Sequence, residues 1–457
     1  MQIKQFEDKN LSHYSYAILS ECEKKIVLID PARNPQQYFD FAKEHNAEIT
    51  GIIETHPHAD FVSSHLEIHE ATGATIYASK LVDAFYPHQW FDDRQYIQMG
   101  KIKLSAINTP GHSPDSISIM LEHGGKQKAV FTGDTLFIGG CGRPDLREGA
   151  GKIQVTRNEL AAQMYHSLRD KLMNMDDEAI VYPAHGAGTL CGKSLSQENA
   201  STIGEEKKTN WSLQTQTEEE FVKELLNDQP FVPAYFPYAV ELNRKGAISF
   251  EKSVQAVTLA KPIANAVDAN RLQNDAWIID IRKEEAYKEG HLRQSINLME
   301  DGKFETWLGS IILPKENFYL AGESETELKR MIERTAAIGY ETQIIEAFIL
   351  NYGPVEQEKI NIDEFKEHIQ NYTIVDVRNT AEVKETKIFE DSLAIPLADL
   401  RNNLGKIPTD KPILVHCAGG YRSAAASSLL QSKLHGTAKV FDLGQAVLEF
   451  SQPISIK

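Results

Sequence analysis

The chain has 457 residues, and at ~150 residues per domain that length implies roughly three domains. A hydrophobic fraction of 41% is enough for several buried cores. The formal net charge of −17 excludes a nucleic-acid or anionic-membrane surface, which would need basic stripes. No apolar run approaches the ~18 residues of a membrane span, and the polar start Met1–Asp8 lacks the apolar stretch of a secretory leader. Cys22, Cys141, Cys191 and Cys417 are too few and too scattered for a disulfide framework, so a reducing, cytoplasmic setting is expected.

In chain order, the first ~240 residues alternate short apolar strands with helices. Strands are predicted at 25–30, 49–54, 74–78, 102–108, 116–121, 129–132 and 179–182. Asn34-Pro35 predicts an N-cap followed by Pro at the first helical position. Thr156-Arg157-Asn158-Glu159 is a capping box, opening a helix with Leu160, Met164, Leu168 and Leu172 on one face. The polar stretch 201–217 is predicted to be an exposed connection. After about Leu242 an internal repeat begins. Ile278-Ile279-Asp280-Ile281-Arg282 matches Ile374-Val375-Asp376-Val377-Arg378 at an offset of 96, and Phe318-Tyr319-Leu320 falls on Leu414-Val415-His416 at the same offset. Each repeat reads as a small α/β domain with a central parallel sheet. The offset places Ala321 on Cys417 and Thr326 on Arg422, so the first copy has lost the chemical residues of the second.

Metal-ligand residues gather where the predicted strands stop, natural places for a site on a rigid scaffold. They are His56, His58 and Asp60 in His56-Pro57-His58-Ala59-Asp60-Phe61; His112 in Thr109-Pro110-Gly111-His112-Ser113; Asp134 after Thr132-Gly133; and His185 in Pro183-Ala184-His185-Gly186. Imidazole and carboxylate suit zinc, iron and manganese alike. The pattern usually continues with a second His after Asp60, and Phe61 cannot bind a metal. One metal keeps its ligands while a second loses one of its own. Two His and one carboxylate leave coordination positions open, as in oxygen-activating non-haem iron sites.

Arg143, in Gly140-Cys141-Gly142-Arg143-Pro144-Asp145, is the best guanidinium for a substrate carboxylate or phosphate, with a surface salt bridge as its alternative. Cys191 lies six residues past His185 and reads either as a sulfur relay or as an inert small residue. In the second repeat, His416-Cys417-Ala418-Gly419-Gly420-Tyr421-Arg422-Ser423 follows a strand at 412–415 and precedes a helix-like run at 424–430. Backbone N–H groups at Gly419 and Gly420 would form an anion cradle. With Arg422 it would lower the Cys417 pKa and stabilise a thiolate or persulfide. A buried structural Cys is the alternative.

The order HPHAD, TPGHS, TGD, PAHG resembles the metallo-β-lactamase superfamily across the first half of the chain, and the GCGR segment resembles the persulfide dioxygenases within it. That resemblance implies an αββα sandwich and one Fe(II) per dioxygenase domain, held by His56, His112 and Asp134. His58, Asp60 and His185 would then orient ligands or water. The Cys417 loop resembles a rhodanese active site, the first repeat resembles a silent rhodanese domain, and the four residues between Cys417 and Arg422 match sulfurtransferases rather than the longer loop of cysteine phosphatases. The implied layout is a dioxygenase domain at 1–242, a rhodanese-like domain without the catalytic Cys at 243–355, and a rhodanese domain at 356–457. The implied activity is oxidation of a low-molecular-weight thiol persulfide by O2 to sulfite, with sulfur transfer through Cys417 to give thiosulfate, as in sulfide detoxification. Glutathione, coenzyme A, cysteine and bacterial thiols all stand open as the carrier, and a second copy of the chain is a candidate partner through the silent repeat. Two rival readings are a glyoxalase-II-type thioester hydrolase with a metal-activated hydroxide and a persulfide carrier or sensor with a structural metal. Open ligand positions argue against the last.

Overall fold

The computed structural model describes residues 1–147, 155–193 and 195–450. The chain forms two compact units, one of residues 1–253 with 336–339, the other of 254–335 with 340–457.

The first unit is built on two six-stranded sheets. One runs in the order Gln2–Asp8, His13–Ser20, Lys25–Ile29, Glu48–Ile53, Thr75–Ala78, Gln89–Trp90. The other runs Ser201–Thr202, Ile180–Pro183, Lys126–Gly133, Ile117–His123, Ile102–Asn108, Tyr96–Met99. Successive side chains of a strand face opposite ways, which makes each sheet two-sided. Val27 and Ile29 enter the core between the sheets with Leu104, Ile119 and Phe131, while Ile26 and Leu28 face Tyr38, Phe41 and Ile68 of the outer helices. Val130 and Val181 face outward onto Ala161, Met164, Leu168 and Leu172. Helix, sheet, sheet, helix is the αββα sandwich.

All seven predicted strands are present. The antiparallel pair Gln2–Asp8 and His13–Ser20 is added before them. The Thr156 capping box forms, with the Thr156 hydroxyl accepting from Glu159 N–H. Asn34 Oδ1 accepts from Gln36 N–H at 3.0 Å, and the helix begins at Gln36 rather than Pro35. The predicted exposed connection at 201–217 is corrected. Ser201–Thr202 pairs with Ile180–Pro183, a helix spans Ile203–Thr209, and Ile203, Glu206, Asn210 and Leu213 are buried. Its polar residues face inward because backbone groups there need partners. Glu206 accepts from Gly139 N–H at 2.9 Å, and Asn210 Nδ2 donates to the Phe137 and Gly140 carbonyls at 3.0 Å each.

The second unit holds two four-stranded parallel sheets of one topology. The first is Ser295–Asn297, Trp277–Asp280, Phe318–Gly322, Ile344–Ile349, and the second is Leu393–Ala394, Thr373–Asp376, Ile413–His416, Val440–Asp442. The offset of 96 persists into the helices, Glu325–Ala337 against Tyr421–Lys433. It persists into side-chain clamps as well. Arg282 forks onto Asp280 and donates to the Gly290 carbonyl at 2.8 Å; Arg378 forks onto Asp376 and donates to the Thr386 carbonyl at 2.8 Å.

Candidate functional site

Three strands of the second sheet, Ile102–Asn108, Lys126–Gly133 and Ile180–Pro183, run the same way and end on the segments bearing His112, Asp134 and His185. Strand Glu48–Ile53 of the first sheet ends just before His56, and Ile117 N–H donating to the Thr55 carbonyl at 2.9 Å ties the two sheet ends together. Four separate segments thus converge at one edge of the sandwich.

The ligand atoms of His56, His112 and Asp134 lie within 4.8 Å of one another, all buried. Asp134 Oδ2 is 3.4 Å from His112 Nε2 and 3.7 Å from His56 Nε2. Each imidazole is oriented from behind. His112 Nδ1 donates to the Arg143 carbonyl at 2.8 Å, and His56 Nδ1 to Thr55 Oγ1 at 3.0 Å. Thr55 in turn donates to Asp30 at 2.8 Å. Both Nε2 atoms are therefore directed at the cluster, as backing groups commonly arrange for metal ligands. His56 Nε2 and Asp134 Oδ2 are buried with no hydrogen-bond partner. Buried polar atoms are rarely left so, and metal bonds of about 2.0–2.2 Å suit donors at this spacing. These residues fit a metal ion.

The electrostatics agree. Burial works to raise the Asp134 carboxyl, but His185, His112 and His56 outweigh it and hold it well below the usual carboxylate range. Burial pushes His56 well down and His112 down. Neutral imidazoles beside an ionised carboxylate are the protonation states a metal requires.

His58, Asp60 and His185 form a second group, also within 4.8 Å. His185 sits between carboxylates, with Nδ1 on Asp134 Oδ1 and Nε2 near Asp60 Oδ2, each at 2.8 Å. Burial opposes its charge, yet Asp134 and Asp60 raise its pKa well above normal. His58 Nε2 faces Asp30 at 3.2 Å. The Phe61 ring packs 4.4 Å from the His58 ring and 3.8 Å from the His13 ring, centroid to centroid. An apolar face thus stands beside the second group. His13 and Asp30 are buried parts of this site that sequence reading missed. His13 stands alone in an ordinary strand, and only Asp30 at a strand end offered a signal.

The glycines of the GCGR segment have a geometric role. A Cβ at Gly142 would lie 1.9 Å from the Asp134 carbonyl oxygen, so only Gly lets this loop approach the ligand. Arg143 lies inside the protein. It is 1% exposed and forks onto Asp145 at 2.7 Å on both arms, while Nη1 donates to the Leu190 and Phe231 carbonyls. Its guanidinium braces loops from inside. Cys191 is buried with Sγ beside Asp134 and His185. Burial, then Asp60 and Asp134, push its thiol well up, so it stays protonated. Cys141 is buried too, its thiol pushed up to about 12 by burial.

In the second unit, Cys417 ends strand Ile413–His416 and is buried, and Gly420 N–H points at its Sγ at 3.1 Å. Gly420 has φ +104, a conformation L side chains rarely adopt, and it caps helix Tyr421–Lys433. Gly419 is exposed on the same turn. Arg422 forks onto Glu382, with Nη2 at 2.8 Å from Oε1, so it frames the loop through a carboxylate.

The chain matches the metallo-β-lactamase superfamily over residues 10–185 and the rhodanese-like domain over residues 263–344 and 361–452. Mitochondrial persulfide dioxygenase ETHE1 of Bos taurus is 30% identical over 246 residues, 53% of this chain and 87% of that protein. Hydroxyacylglutathione hydrolase GloC of Haemophilus influenzae is 26% identical over 215 residues, 42% of this chain and 90% of that protein. A metallo-β-lactamase crystal structure from Staphylococcus aureus superposes with TM-score 0.68 at 31% identity, covering 76% of this chain and 99% of that one. With the ETHE1 persulfide dioxygenases among its homologues, the chain belongs to the metallo-β-lactamase superfamily, extended by two C-terminal rhodanese-like domains.

Proposed function

We propose that the first unit is a persulfide dioxygenase and the second a sulfurtransferase, together converting a low-molecular-weight thiol persulfide to thiosulfate. The observation that carries this reading is the buried trio His56, His112 and Asp134, with His56 Nε2 and Asp134 Oδ2 left without a hydrogen-bond partner and the Phe61 ring beside the neighbouring group. Two imidazoles and one carboxylate would hold Fe(II), which supplies a centre where O2 and a persulfide sulfur meet with positions to spare. The chain's own residues set the conditions. Thr55 and the Arg143 carbonyl fix both imidazoles, the charged His185 beside Asp134 favours its ionised form, and the trio is buried. His58, Asp60 and His185 are proposed to orient ligands or water around it.

The reaction balances as RSSH + O2 + H2O giving RSH, sulfite and two protons: the outer sulfur is oxidised and O2 is fully reduced. At the second site, Cys417 takes the outer sulfur of another persulfide and releases RSH. Sulfite then attacks the sulfane sulfur, the S–S bond breaks, and Cys417 leaves as thiolate with thiosulfate as product. Gly420 N–H is placed to stabilise that sulfur anion. Cys191 is the thiol beside the metal trio and the candidate relay, active only once its proton is removed.

Oxygen uptake by anaerobically iron-loaded protein given glutathione persulfide tests the proposal. Thiosulfate release at about one O2 per two persulfides is the expected outcome, changing to sulfite release at about one O2 per persulfide when Cys417 is replaced by Ser. Full iron occupancy with no oxygen consumed ends the dioxygenase reading. The second ligand group and the GloC relative favour one alternative, a dinuclear thioester hydrolase. Two metals per chain and hydrolysis of a glutathione thioester would establish it instead.

A further inference from the structure

Strand Val440–Asp442 of the second repeat runs beside Ile413–His416, the strand that leads into Cys417, and it ends on a buried carboxylate. The cation for that carboxylate comes from the other repeat. Lys288, on helix Glu284–Glu289, places Nζ 3.1 Å from Asp442 Oδ2, an oxygen with no hydrogen bond of its own. Glu284, one turn earlier on the helix, grips the same ammonium. Burial opposes the Lys288 charge, but Asp442 and Glu284 outweigh it and raise its pKa, while burial and then Asp442 raise the Glu284 carboxyl. Two carboxylates thus share one ammonium in a largely buried site, where loss of the cation would leave like charges face to face.

This triad stands behind the Cys417 turn. Gly444 N–H donates to Asp442 Oδ1 at 2.9 Å, and a Cβ at Gly444 would lie 2.9 Å from Glu284 Oε1, so both carboxylates bear on the turn after the strand. The Gly444–Gln445 peptide in turn lies 3.4 Å from where a Cβ of Gly420 would be, within van der Waals reach of the residue whose N–H faces the Cys417 sulfur. The next residue is tied to the first repeat as well: Tyr421 Oη donates to the Met299 carbonyl at 3.0 Å. The brace runs one way. At the offset of 96, Asp442 falls on Glu346, which pairs instead with Arg271 of its own repeat at 3.6 Å.

Resting on the sulfurtransferase reading of the second unit, we infer that the repeat without a cysteine is a working part of the transfer site: Lys288, by joining Glu284 to Asp442, positions the Gly420 turn against Cys417. It acts through Asp442 and Gly444 and is a positioning residue, not a catalytic one. A displacement of about 1 Å at a reacting group costs up to about a hundredfold in rate, and the triad governs a displacement of that kind.

The test follows Cys417 alone in the full chain, without oxygen, so that the first unit does not turn over. Glutathione persulfide loads Cys417 with its outer sulfur, sulfite discharges it as thiosulfate, and peptide mass spectrometry reads the Cys417 persulfide. The loaded fraction counts intact sites, and the discharge rate per loaded site reads their geometry. Lys288→Met is expected to load as wild type does and to discharge roughly 10- to 100-fold more slowly. Lys288→Arg, which keeps the charge, should stay within about threefold of wild type. Lys288→Met combined with Glu284→Gln removes one of the two facing charges, should lie between them, and covers a single variant that does not fold. A wild-type discharge rate in the folded variant, or a fall confined to the loaded fraction, overturns the assignment, since a scaffold role alone loses sites without slowing the rest. A second readout needs no transfer. Alkylation of Cys417 by iodoacetamide should slow in Lys288→Met, as the thiolate loses Gly420 N–H, and recover in Lys288→Arg, whereas loss of fold would expose the buried thiol and speed it. Wild type that takes up no sulfur, with alkylation still governed by Lys288, would remove the transferase reading and leave the brace standing. Discharge and alkylation that both ignore Lys288 remove the brace alone.

Discussion

In the first repeat of the second unit, strand Phe318–Gly322 carries Ala321 into an apolar cluster with Ile278, Tyr319 and Phe348, and the loop beyond it is closed by its own carboxylate: Glu327 Oε2 accepts from Glu323 N–H at 2.7 Å. In the second repeat the same position is Cys417, and at the place of Glu327 stands Ser423, whose hydroxyl donates to the Gly420 carbonyl. Glu323 falls on Gly419 at the offset of 96, and the next amide along, Gly420 N–H, faces the sulfur. The clamps Arg282–Asp280 and Arg378–Asp376 match down to the carbonyl each arginine also reaches. A scaffold can therefore persist residue for residue while its chemistry is deleted at one loop. The lesson is that the anion cradle is a property of the turn's unfilled N–H groups. Where a side-chain carboxylate fills one, the turn has an anion already.

The largest expected effect breaks this comparison at its chemical point. Cys417→Ser should lower sulfur transfer to sulfite by about a thousandfold or more, leave oxygen uptake intact, and let sulfite accumulate. Ala321→Cys in that variant should not restore thiosulfate while Glu327 occupies the Glu323 amide. Thiosulfate formed by the double variant would show the cradle to be dispensable. Next come the clamps. Arg282→Met and Arg378→Met each leave a buried aspartate uncompensated, and each should destabilise its repeat by about 3–5 kcal/mol in urea unfolding. Clearly unequal losses would mean that the two scaffolds are not energetically alike. The smallest effect separates the repeats by pH. His291, in the first repeat, is lowered to about 4 by burial, against a weaker raising hydrogen bond to the Tyr287 carbonyl, and its counterpart in the second is Lys387. An unfolded histidine takes up a proton near pH 6.5, so between about 6.5 and about 4 the unfolded chain binds more protons than the folded one. Stability should be unaffected above that window and fall as pH drops through it. His291→Gln should flatten that slope, and an unchanged slope assigns the acid sensitivity to other groups.

Much of this was legible in the sequence. Strand ends marked by His56, His112, Asp134 and His185 could be read because apolar runs stop abruptly at polar clusters, and the 96-residue offset exposed two copies of one fold without any coordinates. The stretch 201–217 misled because its Glu and Asn look solvent-directed; in the fold they satisfy loop carbonyls and amides inside the first unit. His13 was illegible because nothing local distinguishes it from any histidine in a strand.

Local pattern determined the elements, the candidate ligands and the candidate reactive cysteine, since periodicity, turn chemistry and residue type are written along the chain. Only the tertiary structure decided that Arg143 is occupied from inside, that Glu327 fills an amide of its own loop, and that Phe61 lies against His58 and His13. Those outcomes depend on what a side chain meets from distant segments, and hydrogen-bond partners more than forty residues away, such as Leu190 for Arg143, cannot be read from neighbours in sequence.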